Sequence, residues 1–382
     1  MNGFEYTFGI EEEYFLSTPA GGLAAHVPPR LLTNARAQLG DFVTSELLQS
    51  QIEIASPVFS DAEQAATTMP RMRRDLSQLV AEMDLRLLAA STHPLGAWRS
   101  QLATAKPRYD QLMSDFRIIG QRNLVCGMHV HVAIPPKVDR VMLMNRLMPW
   151  LPLFLALSTS SPFWDRRVTG LLSYRQAIYD EWPRSGIPDF FADERDYDSF
   201  TVLMQNAGAV PDASFFWWAI RPSAKFPTLE LRIADVCTRA EDGVALAVLF
   251  RCLVATLAEQ PMLGARRTTH TRRIIDENRW RAKRDGIAAK FIDEFSGSAI
   301  AVRDLLSKAL DLVDGKARQL GCASALLGVR QIAERGTSAH AQLREYNERR
   351  AAGATQTVAL HHVVDWLLDT TVAVQDDLPV TA

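Results

Sequence analysis

The sequence predicts an α+β fold in which a mainly antiparallel sheet floors a cleft and helices pack on its other side. Three observations carry this. Four strand-like segments before residue 235 set polar pairs on the face opposite their apolar residues. From residue 241 onward, apolar residues recur at helical spacing. No internal repeat, low-complexity tract or linker divides the 382 residues, so residues 1–382 are expected to form one integrated domain, with a tail from about 372 that lacks periodicity.

Composition narrows the class. A chain that is 47% hydrophobic and 23% charged folds as an ordinary globular protein with a large core. A net charge of -2 argues against a nucleic-acid surface. The start, MNGFEYTFGIEEE, lacks the basic and apolar regions of a signal peptide. The apolar runs 147–164 and 244–257 are interrupted by three prolines and by Arg251, and fall short of the ~20 residues that span a membrane. Cys126, Cys237, Cys252 and Cys322 form no CxxC pair and fit reduced thiols of a cytoplasmic protein.

The elements follow in order. In residues 8–16, Ile10, Glu12, Tyr14 and Leu16 share one strand face, and Glu11 and Glu13 share the other, roughly 6 to 7 Å apart. In 45–55, Ile52 and Ile54 oppose Gln51 and Glu53. Ser60 to Glu63 reads as a capping box, and Met72, Leu76, Leu79, Val80, Met83, Leu87 and Leu88 as the stripe of the helix it opens, restarted or kinked at Pro70. Residues 122–134 read as a strand with His129 and His131 on one face, ended by Pro135 and Pro136. Asp139 caps an apolar helix towards Leu157, bent at Pro149 and Pro152. Residues 162–213 read as a long ordered loop region, a length that usually signals function. A hairpin follows, 215–221 and 228–234, with Thr228, Glu230 and Arg232 on one face. Helices are expected over 241–259, 299–320 and 338–350.

The polar pairs are Glu11/Glu13, Gln51/Glu53, His129/His131 and Glu230/Arg232. Each alone is more often an exposed sheet face. Together they compose a metal and phosphate site, because carboxylates with an imidazole suit Mg²⁺ or Mn²⁺ and a guanidinium fork suits a phosphoryl group. No Gly-rich phosphate loop and no GxSxG elbow occurs. HxH on a strand also fits a zinc- or manganese-dependent hydrolase, and His131 fits equally a core or supporting histidine.

The stretches GIEEEY, SELLQSQIEIASPV, CGMHVHV, SYR…PRSGIP and RPSAKFPTLELRIADV, continuing through NRWRAKRDG and GTSAHAQ, resemble the carboxylate-amine ligases of the type 2 glutamate–cysteine ligase family. The resemblance covers nearly the whole chain. It implies a glutamine synthetase-like fold with a curved sheet as the active-site floor, and an ATP-dependent ligase joining glutamate to cysteine through an acyl phosphate. It also implies Mg²⁺ or Mn²⁺ held by Glu11, His129 and Glu230 at one position and by Glu13, Glu46 and Glu53 at another. Glu46 conflicts with strand parity, since it falls on the face opposite Glu53 unless the strand bends. Arg232 would act on the transferred phosphoryl group beside the ATP, and Glu53 is assigned to catalysis as well as to metal. Arg175, Arg221 and Tyr174 are the candidates for binding the amino-acid substrates, and Arg284 for the nucleotide. The basic cluster Arg272, Arg273, Arg279, Arg281, Lys283 and Arg284 reads either as a guide for nucleotide or acidic substrate or as a solvated helix face. Small-molecule substrates, no nucleic acid, no membrane and a default homodimer complete the expectation. A non-catalytic nucleotide-binding relative is the third reading.

Overall fold

Seven strands form one antiparallel sheet in a computed structural model that describes residues 5–25 and 27–373. They are β1 (Phe8–Ser17), β2 (Val43–Ser45), β3 (Gln51–Ala55), β4 (Arg86–Leu88), β5 (Met128–Ala133), β6 (Ile220–Pro222) and β7 (Thr228–Leu231). Their order is β6-β7-β5-β1-β3-β2, with β4 paired to the end of β1. The central strand, β1, is therefore hydrogen-bonded on both sides.

The helices are α1 (Pro29–Leu39), α2 (Ala62–Ala81), α3 (Pro107–Phe116), α4 (Ile118–Gln121), α5 (Arg140–Leu147), α6 (Leu151–Ser158), α7 (Arg175–Tyr179), α8 (Glu194–Asn206), α9 (Ala240–Glu259), α10 (Thr271–Asp285), α11 (Val302–Gln319), α12 (Leu327–Arg335), α13 (Ser338–Ala351) and α14 (Gln356–Val372). Helices α2 and α9 pack on each other, and α9 packs on β1 and β5. They cover the sheet face that carries Ile10, Tyr14, Ile52, Ile54, Val130 and Val132, all at most 1% exposed. Burying a side chain of this kind is worth about 1.5–3 kcal/mol.

Glu12 lies on this apolar face, where a bare carboxylate would be costly. Its partner is Arg73 of α2, at 2.6 and 2.9 Å, with both side chains 1% exposed. The Tyr14 hydroxyl also donates to Glu12. Arg73 donates further to the carbonyls of Cys237 and Thr238. One guanidinium thus ties β1 to α2 and to the segment after β7.

Several expected boundaries move. The residues 45–55 are not one strand but the end of β2, a turn over Glu46–Ser50 and then β3. The cap of α2 is Asp61, which accepts from Gln64 N at 2.7 Å, one residue past the expected Ser60. α2 runs through Pro70 and stops at Ala81, and Asp84 at φ 56 turns the chain so that Leu87 and Leu88 belong to β4. The expected 122–134 strand shortens to β5, and the 162–213 span contains α7 and α8. α10 occupies the basic stretch, and α14 extends to Val372, so residues 374–382 of the expected tail lie outside the described residues. The first four residues of the start, read above as lacking signal-peptide features, also lie outside them. The apolar run Arg140–Ser158 reaches the length and hydropathy of a membrane-spanning helix, but 83% of it is buried within the fold. It is broken by the turn Met148–Trp150 between α5 and α6. All four cysteines are unpaired and buried.

Replacing Arg73 by Met should strand Glu12 in the core and cost about 3–5 kcal/mol, read as a fall in the urea midpoint. A loss under about 1 kcal/mol would mean that the pair does not anchor the sheet. His93 offers a pH test. Leu95 N donates to its Nδ1 at 3.2 Å, so Nε2 carries the proton and donates to Ser17 Oγ at 3.0 Å. Burial, then the nearby His361, holds its pKa at about 3. The unfolded chain takes up this proton below about pH 6.5 while the folded one refuses it. Relative to His93→Asn, the native protein should lose about 1.4 kcal/mol of stability per pH unit from 6.5 down towards 4. Parallel stability curves for the two proteins would contradict this.

Candidate active site

The other face of the sheet floors a cleft of about 340 Å³. Antiparallel register decides which side chains meet there, because directly opposed residues share a face. Arg221 of β6 opposes Glu230 of β7, and Glu230 opposes His131 of β5. His129 opposes Glu11 of β1, and Glu13 opposes Glu53 of β3, which in turn opposes Thr44 of β2. The result is a polar band running across six strands. Glu46 joins it from the turn after β2, where strand parity no longer applies.

Three clusters have ligand atoms within 4.8 Å of one another: Glu13, Glu46 and Glu53; Glu11, Glu53 and His129; and Glu11, His131 and Glu230. The first is the expected set. The expected grouping of Glu11, His129 and Glu230 divides between the other two, since Glu230 lies opposite His131 and His129 opposite Glu11. His131, which read equally as a core or supporting histidine, contacts Glu11 at 3.4 Å through Nε2, while His129 Nδ1 sits 3.1 Å from Glu11.

The acids separate by their surroundings. Burial opposes ionisation of Glu230, but Arg232 and Arg221 overcome it and hold the carboxyl far below its usual range. Burial likewise opposes Glu11, and hydrogen bonds from His129 and His131 prevail. Glu53 has only a hydrogen bond from the Thr44 hydroxyl, at 3.2 Å, to set against its surroundings. Burial, reinforced by Glu46, Glu11 and Glu13, drives its pKa well up. Burial and then the charge of Glu13 push Glu46 up to about 8. Among the described residues, no lysine or arginine forms an ion pair with Glu13, Glu46 or Glu53. Crowded, hard oxygen donors with no cation of their own fit a divalent ion such as Mg²⁺ or Mn²⁺.

Arg232 sits at the other end of the band. Its guanidinium donates to Glu230 and, at 2.9 Å, to the Tyr179 hydroxyl, and its Nε has no partner among the described residues. The walls of the cleft are α3 with Arg108, Tyr109 and Leu112, the tryptophans 182 and 217, and the turn 223–226.

Residues 7–361 match the model of the family described as glutamate-cysteine ligase family 2. The chain belongs to this family. A relative from Ectopseudomonas mendocina (strain ymp), named "Putative glutamate--cysteine ligase 2", is 44% identical over 95% of this chain and 96% of its own. One of the same name from Rhodospirillum rubrum is 42% identical over 96% of each. Among solved structures, the glutamate–cysteine ligase of Francisella tularensis in complex with AMP superposes with a TM-score of 0.70 at 12% identity, covering 98% of this chain and 90% of that one. A bifunctional glutathione synthetase from Pasteurella multocida gives 0.71 at 15%, covering 96% of this chain, which spans about half (52%) of that longer protein. The fold is thus glutamine synthetase-like, and the protein is a ligase of the glutamate–cysteine ligase family.

Family membership does not place the substrate residues, and four expectations change with the structure. Arg175 lines the cleft but is 2% exposed; its Nη1 donates to the carbonyls of Arg232, Ile233 and Ala234, and its Nε has no partner among the described residues. It lies so close to Gly127 that a Cβ there would come within 2.2 Å of its Nη2. Arg221 lines the cleft but is bound in a fork to Glu230 at 2.7 and 3.1 Å and to the carbonyls of Ser214 and Phe216. Tyr174 is outside the cleft, its ring 5.6 Å from Trp164, and Tyr179, one helical turn beyond Arg175, is the tyrosine inside. Arg284 is exposed and paired with Asp285. None of the basic cluster on α10 lines the cleft: Arg279 and Lys283 bind Asp180, Arg272 binds Asp189 and Asp276, and Arg281 binds Glu277.

Mg²⁺ or Mn²⁺, added without nucleotide, should raise the Tm by binding the native state alone. Glu53→Gln should shrink that shift more than Glu13→Gln, because Glu53 belongs to two of the three clusters. Equal shifts in the wild type and both variants would remove divalent ions from this floor.

Proposed function

We propose that the chain is an ATP-dependent ligase that joins the side-chain carboxylate of glutamate to the amine of cysteine, acting as one catalytic domain with Mg²⁺ or Mn²⁺. The observation that carries it is the polar band: the Glu13, Glu46 and Glu53 cluster, with no lysine or arginine ion-paired to it among the described residues, lies on one sheet face with the Arg232–Glu230 pair. Its glutamate–cysteine specificity is supported by the relatives' names alone. A cytoplasmic location fits four free, buried thiols.

Joining a carboxylate to an amine in water is uphill, so the carboxylate is first phosphorylated by ATP. Divalent ions, when bound, neutralise the phosphate and carboxylate oxygens that must approach one another. Glu13, Glu46 and Glu53 would hold one ion, and Glu11 and Glu230 with His131 or His129 another. Arg232 would stabilise the charge that builds on the transferred phosphoryl oxygens. Its fork is aligned beforehand by Glu230 and Tyr179, so little reorganisation is needed when charge develops. Arg221 shares Glu230 with it and keeps that carboxylate ionised.

ADP release measured with Mg²⁺ across a matrix of amino-acid acids and amines tests the reading. Glutamate with cysteine should stimulate release, and Glu11→Gln, Glu230→Gln and Arg232→Ala should each cut kcat by at least ~10²-fold. If no pair stimulates ADP formation, the chain is not a ligase of amino acids. Turnover without ATP, lost on zinc chelation, would instead mark a hydrolase.

A further inference from the structure

Five cations line the cleft: Arg108, Arg175, Arg221, Lys225 and Arg232. Three are committed, Arg221 and Arg232 to Glu230 and Arg175 to backbone carbonyls. Arg108 and Lys225 remain, and they differ. Both are exposed; Lys225 lies in the turn between β6 and β7, its ammonium 4.9 Å from the Phe226 ring, and it also lines a second cavity. Arg108 begins the first turn of α3. Its guanidinium is stacked 4.5 Å above the Phe215 ring, and its Nη1 donates to Ser214 Oγ at 3.1 Å. No carboxylate pairs with it among the described residues. Of the five N–H donors on a guanidinium, one is used.

The wall around Arg108 has other unspent capacity. Trp182 Nε1 and Asn123 Oδ1 belong to cleft-lining residues and are buried without a hydrogen-bond partner among the described residues. Buried polar groups are ordinarily paired, so each unpaired one calls for a partner. Tyr109, Leu112 and Trp217 give the same wall an apolar surface.

We propose that Arg108, on this wall, is the subsite for the α-carboxylate of an amino-acid substrate. The inference rests on the ligase reading above. An α-carboxylate that does not react must be held somewhere in the cleft, and Glu11, Glu13, Glu46, Glu53 and Glu230 on the floor offer it no cationic donor. The floor's own arginines, Arg221 and Arg232, share the single carboxylate of Glu230, and the ligase reading gives Arg232 to the phosphoryl group. A guanidinium off the floor, fixed by a ring on one side and a hydroxyl on another, offers a planar fork at low entropic cost.

Both substrates of the proposed reaction carry an α-carboxylate, and decarboxylated analogues tell them apart: 4-aminobutyrate in place of glutamate, and cysteamine in place of cysteine. Arg108→Met should raise the KM of one amino acid by about 10- to 100-fold and leave the KM of ATP unchanged. Arg108→Lys should recover part of the loss. Swapping that amino acid for its analogue should cost the wild type a similar factor and the Met variant nothing further. A loss in the variant that is the same with and without the carboxylate, or no loss at all, overturns the assignment. Should the wild type release no ADP with any pair, the ligase reading falls separately. The subsite is then judged by thermal-shift titration of the full chain with the same four compounds. Stabilisation by glutamate or cysteine that Arg108→Met lacks upholds it; equal or absent stabilisation refutes it.

Discussion

The buried Glu12–Arg73 ion pair decides which way the central strand faces, and the site follows from that decision. A strand alternates strictly, so a slip of one residue would turn every side chain to the other face. Glu12 cannot move to the cleft without abandoning Arg73 and Tyr14 in the core. Glu11 and Glu13 are thereby held on the cleft face. Register then carries the decision outward, to His129 and His131 on one side and Glu53 on the other. Because Arg73 also binds the carbonyls of Cys237 and Thr238, the segment after β7 is fixed against the same point.

Acids of identical chemistry thus fall into two classes. Glu12 and Glu230 each meet guanidinium groups at hydrogen-bond distance. Glu13, Glu46 and Glu53 face one another instead, and burial with mutual repulsion leaves Glu46 and Glu53 reluctant to ionise. Such crowding destabilises the apo fold. It becomes favourable only when a cation from outside supplies the missing charge, which is how local conflict in a sequence points to a ligand.

Much of this floor was legible in the sequence because it is written in a period of two. The partition of Glu11 and Glu13 from Glu12 needed only alternation, and so did the shared face of Glu230 and Arg232. Glu46 was not legible by that rule, since it sits in a turn that a continuous 45–55 strand had hidden. Leu87 and Leu88 continued the helical stripe numerically, yet Asp84 in a left-handed conformation ends the helix before them. The short helix α7 escaped detection because five residues give no measurable period, and Tyr179 was lost with it. His131 was visible as half of an HxH pair, but only the register with β7 brings it to Glu230. Arginines were the hardest to assign. Their reach is long and their partners are remote in sequence, so Arg175 and Arg221 looked free although backbone carbonyls and Glu230 bind them.

The two parts of the cleft therefore answer to different physics. The floor is built from opposed strand residues whose positions are coupled, so changing one ligand disturbs charge balance across several strands. The walls come from α3, α7, Trp182, Ser214 and Trp217, which lie outside the register of the seven-stranded sheet. Side chains there can change without altering how the acids meet. A scaffold of this kind can keep its phosphoryl-transfer floor while altering what its walls admit. The fold is shared at a TM-score of 0.70 with a protein only 12% identical. The fold accordingly belongs to the sheet, whereas Arg108, in the proposed assignment, would hold the α-carboxylate from a wall that the sheet does not constrain.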